Sequence, residues 1–301
     1  MLRSIIRFLI LCTVLYTSHA YGADALRLKH AASLYLSGKN DMLLAPQGVA
    51  CTNDNTIVVA DTGNGRLLKY TYQNGVFTPA SDFKIPELSS PSRVQLDSKG
   101  DIYVFDEKER QIVHLGPTGA VVSVVTPTGI PSPGTYGPRS FKIDARDNMY
   151  VLDIREDRVL ALNSSGAFLR EIRFPKDHGF ISDIAVDAGG TVYALDSVQR
   201  RIYSASSSAQ MFTPLTESLK EYMLFPTNLS VDSSGMLYIT DQNGGSIIVV
   251  QSTGTVRAKA LSMGWKEGLL HYPGQTCITS SGNLFVADRD NNRIQAFLIL
   301  Q

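Results

Sequence analysis

Residues 284–297 read "LFVADRDNNRIQAF", and the first five of these decide the fold because they are one copy of six. "IVVAD" ends on Asp61, "IYVFD" on Asp106, "MYVLD" on Asp153, "VYALD" on Asp196, "LYITD" on Asp241 and "LFVAD" on Asp288, at intervals of 45, 47, 43, 45 and 47 residues. A near-constant period with small insertions is the signature of a repeat architecture.

Each column of the repeat has a physical reason. The residues before each aspartate are apolar and β-favouring, with an aromatic three positions back at Tyr103, Tyr150, Tyr193, Tyr238 and Phe285. So short and unbroken an apolar run reads as a strand buried on both faces. Six positions before the aspartates stand Asn55, Gly100, Asp147, Gly190, Gly235 and Gly282, residues that tolerate positive φ, so a tight hairpin leads into each run. Upstream lies a shorter strand, as in "PSRVQLD" and "PRSFKID"; downstream an aliphatic residue returns at Leu67, Ile112, Val159, Ile202, Ile247 and Ile294 to start a third. Segments such as "GAVVSVVT" and "GAFLREIRF" supply a fourth. Four antiparallel strands per unit, six times over, predict an all-β, six-bladed β-propeller of four-stranded blades. The last copy stops after its third strand, and residues 26–45 hold an unassigned strand-like "SLYLS". An N-terminal strand joining the last blade would close the ring and remove its edges.

The stretch "MLRSIIRFLILCTVLYTSHA", residues 1–20, carries Arg3 and Arg7, then an apolar run, then small residues. It reads as a signal peptide cleaved near Ala20 or Ala23, leaving one propeller over 24–301, secreted or periplasmic. The run is shorter than the ~20 residues that span a bilayer, which disfavours an uncleaved anchor. Without Arg3 and Arg7 the chain keeps 26 basic against 28 acidic residues, a balance that argues against a nucleic-acid partner.

The unit "P-x-x-apolar-x-apolar-Asp-x-x-Gly-x-apolar-Tyr-apolar-x-Asp-x-x-x-x-Arg-Ile" resembles the NHL repeat, most closely in "SGNLFVADRDNNRIQAF". The family's asparagine before Arg-Ile is missing in blades 2 to 4, and Thr52 and Thr279 replace the first-strand aspartate seen at Asp97, Asp144, Asp187 and Asp232. The resemblance implies a binding platform for protein or nucleic acid, while related six-bladed propellers include metal-dependent lactonases and lyases working at the central channel. Architecture follows from it; chemistry does not.

On such a blade, the aspartate loops and the segments leading into each first strand share one face. Gly48, Arg93, Ser140, Asp183, Asn228 and Gln275, with Arg139 beside them, are expected to encircle the channel mouth. Arg93, Arg139, Asp183, Asn228 and Gln275 are the candidate ligand residues, the arginines suited to a carboxylate or phosphate. The aspartate loops of blades 2 to 4, "EKER", "IRED" and "SVQR", are charged where blades 1 and 5 have "TGNG" and "QNGG", so Lys108, Arg110, Arg155 and Arg200 are candidates for a partner face. His178 and His271 are a weak metal alternative, fewer than the three histidines common in catalytic zinc sites.

Asp288, Asp290 and Asn292 alternate as in a calcium loop, but Arg293 and Ile299 stand where an EF-hand needs glycine and glutamate. Asp288 therefore reads as a turn residue binding local backbone, which leaves Arg289 and Asp290 as the distinctive positions. Cys51 and Cys277 fall in neighbouring first strands, where a disulfide would reinforce the closure; aligned on the aspartates they point to opposite blade faces and meet only if Cys51 faces blade 6, Cys277 faces blade 1 and the inner strands are close enough, so two buried thiols are expected over a disulfide. The sequence thus predicts an exported, monomeric binding scaffold for a protein, glycan or small ligand, with no cofactor. The alternative is a calcium- or zinc-dependent lactonase or lyase at the channel.

Overall fold

The computed structural model describes residues 26–300; the expected signal peptide lies outside them. Among the described residues there are six four-stranded antiparallel sheets. Their inner strands are Gly48–Cys51, Pro91–Leu96, Pro138–Ile143, Ile181–Val186, Pro226–Val231 and Thr276–Ile278. The apolar runs form the second strands, each ending on its aspartate: Thr56–Asp61, Ile102–Asp106, Met149–Asp153, Val192–Asp196, Leu237–Asp241 and Asn283–Asp288.

Burial on both faces explains the unbroken runs. Within "IYVFD", Ile102 and Val104 pack toward blade 1 with Val58, Ala60 and Leu67, while Tyr103 and Phe105 pack toward blade 3 with Phe141, Val151 and Leu160. One apolar cluster fills each of the six interfaces between neighbouring blades.

The hairpins follow the expected chemistry. Asn55, Gly100, Asp147, Gly190, Gly235 and Gly282 all adopt positive φ, from 61° to 84°. The carboxylates of Asp97, Asp144, Asp187 and Asp232 accept the N–H four residues on, at 2.9 Å. Thr52 and Thr279 accept the equivalent N–H of Thr56 and Asn283 at 3.2 and 3.1 Å. The two threonines therefore keep the turn despite departing from the aspartate pattern.

The last blade has the order Arg27–Leu34, Arg293–Leu300, Asn283–Asp288, Thr276–Ile278, so the N-terminal strand is its outer edge. That strand begins before "SLYLS" and takes only its Ser33 and Leu34: its register ends at Leu34 opposite Ile294, and Leu36 instead bridges Met42. Cys51 and Cys277 form a disulfide, with Cα atoms 5.8 Å apart, which corrects the expectation of two thiols. Cys51 faces blade 6 and Cys277 faces blade 1, both packed on the cluster between those blades. The inner strands are close enough there for the Gln275 N–H to reach Gln47 O at 2.9 Å.

Candidate functional site

Four inner strands carry a β-bulge at the same place. In blades 2 to 5 the register slips between Pro91 and Arg93, Pro138 and Ser140, Ile181 and Asp183, and Pro226 and Asn228. The extra residues are Ser92, Arg139, Ser182 and Thr227. A bulge re-aims side chains locally, and here it brings two residue sets to the channel axis, the predicted ring and the bulged residues just before it.

The ring does not stand open. Asp183 is fully buried and accepts hydrogen bonds from the Ser140 hydroxyl, from Asn228 Nδ2 at 2.6 Å and from the Leu229 N–H at 2.9 Å. Arg93 and Lys142 each place a nitrogen 3.5 Å from it. Asn228 Oδ1 accepts from the Thr276 N–H at 2.9 Å. Gln275 in blade 6 reaches past blade 1 to blade 2, pairing with both the N–H and C=O of Val94 at 3.0 and 2.9 Å. Gly48 makes this crossing possible: a Cβ there would lie 2.7 Å from Ser92 O and 3.1 Å from Gln275 Oε1. Ser140, Asp183, Asn228 and Gln275 thus form a polar septum across the channel.

Burial drives the Asp183 carboxyl up, but the charges of Lys142 and Arg93 and the donated hydrogen bonds outweigh it and hold the group below its ordinary value. Burial pulls the Lys142 ammonium down, with Asp183 opposing and Arg93 adding to the effect. Lys142 lines a cavity of about 260 Å³ on the far side of the septum, with Gln95, Ser230 and Thr276.

On the aspartate-loop side the septum floors a cavity of about 470 Å³, within the range of small-molecule sites. Arg93, Arg110, Arg139 and Arg289 line it against a single acid, Glu107, with Phe105, Ile154 and Phe225 as apolar wall. Arg139 lies over the Phe180 ring at 4.4 Å. Burial, then the neighbouring Arg93 charge, lowers its pKa, and its Nε is buried without a hydrogen-bond partner. The Thr227 hydroxyl in the same cavity is likewise unpartnered.

The structure therefore brings Arg93, Arg139, Asn228 and Gln275 to one mouth and places Asp183 beneath them in the septum. The four candidates for a partner face differ in their surroundings. Lys108 and Arg155 are exposed on their loops, Arg200 is held by a hydrogen bond from its Nε to Leu224 O at 3.0 Å, and Arg110 turns into the mouth. Sequence reasoning missed Arg110 as a mouth residue and Lys142 altogether. Lys142 was findable, because it lies two positions beyond Ser140 and inner-strand residues two apart share a face.

His178 lies against Gly179 O and Asp157, and His271 against the Tyr272 ring. Among the described residues no three His, Cys, Asp or Glu side chains cluster as metal ligands. The four guanidiniums that line the mouth repel a cation and do not suit a calcium or zinc ion. Asp288 is also corrected. It accepts from the His271 N–H at 2.7 Å, from Asn291 Nδ2 at 2.8 Å, from Arg293 Nε at 2.7 Å and from Gln295 Nε2 at 2.8 Å, so it ties the lead-in segment to the third strand. Its neighbour Arg289 lines the mouth and is paired to Asp290 at 2.7 Å.

A family model described as the NHL repeat matches residues 43–70 and 270–297. Among curated proteins nothing matches the sequence. The fold is similar to virginiamycin B lyase from Staphylococcus aureus, with a TM-score of 0.62 and 12% identity over 91% of this chain and 100% of that one. It is similar to a gluconolactonase from Xanthomonas campestris (TM-score 0.64, 13% identity, 93% and 96% covered). It is also similar to the PQQ-bound aldose sugar dehydrogenase from Streptomyces coelicolor (TM-score 0.63, 13% identity, 91% and 98% covered). At such identities the likeness is one of fold.

Proposed function

We propose that this chain, a six-bladed β-propeller of NHL repeats, is an exported binding module that holds a ligand or a partner's side chain at the channel mouth on its aspartate-loop face. The observation that carries the reading is a cavity of about 470 Å³ floored by a hydrogen-bonded septum, in which Arg139 Nε and Thr227 Oγ1 are buried without partners. Buried polar atoms are ordinarily paired, and an unpaired one is costly, so a ligand supplying acceptors would be stabilised there. Export rests on the N-terminal sequence and is supported by the Cys51–Cys277 bridge, since disulfides persist in oxidising compartments.

The likeness to lyase, lactonase and dehydrogenase propellers leaves catalysis as an outcome of the test. Protein purified gently from its native source is compared with Gln242→Trp, a substitution that fills the mouth from its rim. Native mass spectrometry is expected to show a bound species on the wild type that the variant lacks. Equal retention by both would overturn the reading, as would turnover lost in Arg93→Ala or Arg139→Ala protein.

A further inference from the structure

We infer that the mouth cavity takes a small organic anion, a single carboxylate or phosphate head on an apolar body. This rests on the mouth being the binding site and specifies what it binds. Four arginines line the cavity against Glu107. Two are already engaged: Arg93 with Asp183 and the Thr227 carbonyl, Arg289 with Asp290. Even with those two aspartates counted alongside Glu107, and without Lys142 on the far side of Asp183, positive charge is in excess, which favours an anionic group.

The other two arginines mark where that group sits. Among the described residues neither Arg110 nor Arg139 has a carboxylate within ion-pair distance. Arg139 has a buried, unpartnered Nε, and its guanidinium is fixed by stacking on Phe180. Arg93 and, more weakly, Arg110 repel its charge, against the attraction of Glu107 and Asp183. A fixed planar fork is suited to bidentate recognition of carboxylate or phosphate, and an anion between Arg110 and Arg139 relieves the like-charge repulsion. Beside them Phe105 and Ile154, from blades 2 and 3, form an apolar wall that Phe225 faces from blade 5. An entirely polar ion would leave that wall wetted. Gln242 and the Thr227 hydroxyl remain for secondary hydrogen bonds.

The test is titration calorimetry of the full chain with four probes of one shape: benzoate, phenyl phosphate, neutral benzyl alcohol and benzylammonium. The two anions are expected to bind and the other two not, and the stronger anion identifies the head group. Arg139→Gln and the exposed Arg110→Gln are each expected to weaken anion binding about tenfold or more, while Arg146→Gln, on a distant hairpin, leaves it unchanged. If Arg139→Gln fails to fold, Arg110→Gln decides alone. Equal binding of neutral and anionic probes, no binding of any probe, or undiminished affinity in both variants would overturn the anion assignment. Those results leave the mouth itself to be judged by the Gln242→Trp comparison.

Discussion

The six aspartates are structural clamps whose cost on removal differs from blade to blade. Each is fully buried and accepts a backbone N–H from a residue 16 or 17 positions earlier, at Leu44, Ser89, Gly137, Gly179, Leu224 and His271. In blades 1, 3 and 6 the carboxylate also pairs with a buried arginine: Arg66 at 2.8 Å, Arg158 at 3.0 Å and Arg293 at 2.7 Å. Asp153→Ala strands the Arg158 charge and is expected to cost about 3–5 kcal/mol in chemical denaturation. Asp241→Ala leaves no such charge, only the Leu224 and Phe225 N–H groups, and should cost clearly less. Equal losses would contradict the clamp account. Asp183 adds a pH dependence. Its folded pKa lies below the ordinary 3.8, so its stabilisation is complete above that pH and is lost as pH falls through the folded value. Asp183→Asn leaves Lys142 and Arg93 uncompensated, and its deficit in denaturation midpoint against wild type is expected to shrink as the pH is lowered below 3.8.

At the scale of elements, what the sequence makes legible is whatever the aspartate column fixes. The second strands, their hairpins and the first strands follow from spacing, because each copy repeats the same burial and the same turn. The N-terminal strand has no copy to align with, and so its position at Arg27–Leu34 was less legible than its role in closing the ring. The bulges leave no composition signal either: spacing identifies Arg139 as near the mouth, but only the slipped register makes it and Thr227 extra residues of the ring. The cysteines show the limit of face parity, since residues on opposite faces of neighbouring blades can point at each other. Ring closure by strand and disulfide together predicts that Cys51→Ala/Cys277→Ala lowers unfolding stability by about 2–5 kcal/mol. Reductant should lower the wild type to the same midpoint and leave the variant unmoved; a wild type insensitive to reductant would contradict the bridge.

For the molecule as a whole, the septum matters more than the channel. A propeller whose axis were open would offer one pore; here Gln275, Asn228, Asp183 and Ser140 link blades across it and separate two cavities. The larger one gathers arginines from blades 2, 3 and 6, which no single repeat predicts, because each stands in a different place in its own unit. Gly48→Ala tests the septum: its methyl would meet Ser92 O and Gln275 Oε1, and is expected to cost about 1–3 kcal/mol in stability. The most direct test of binding at the mouth is a hydrogen-exchange footprint of the wild type with and without its native ligand fraction. Protection is predicted in the aspartate loops and lead-in segments around Arg110, Arg139, Thr227 and Arg289. Protection confined to the opposite cavity around Lys142, or to the outer strands, would contradict it.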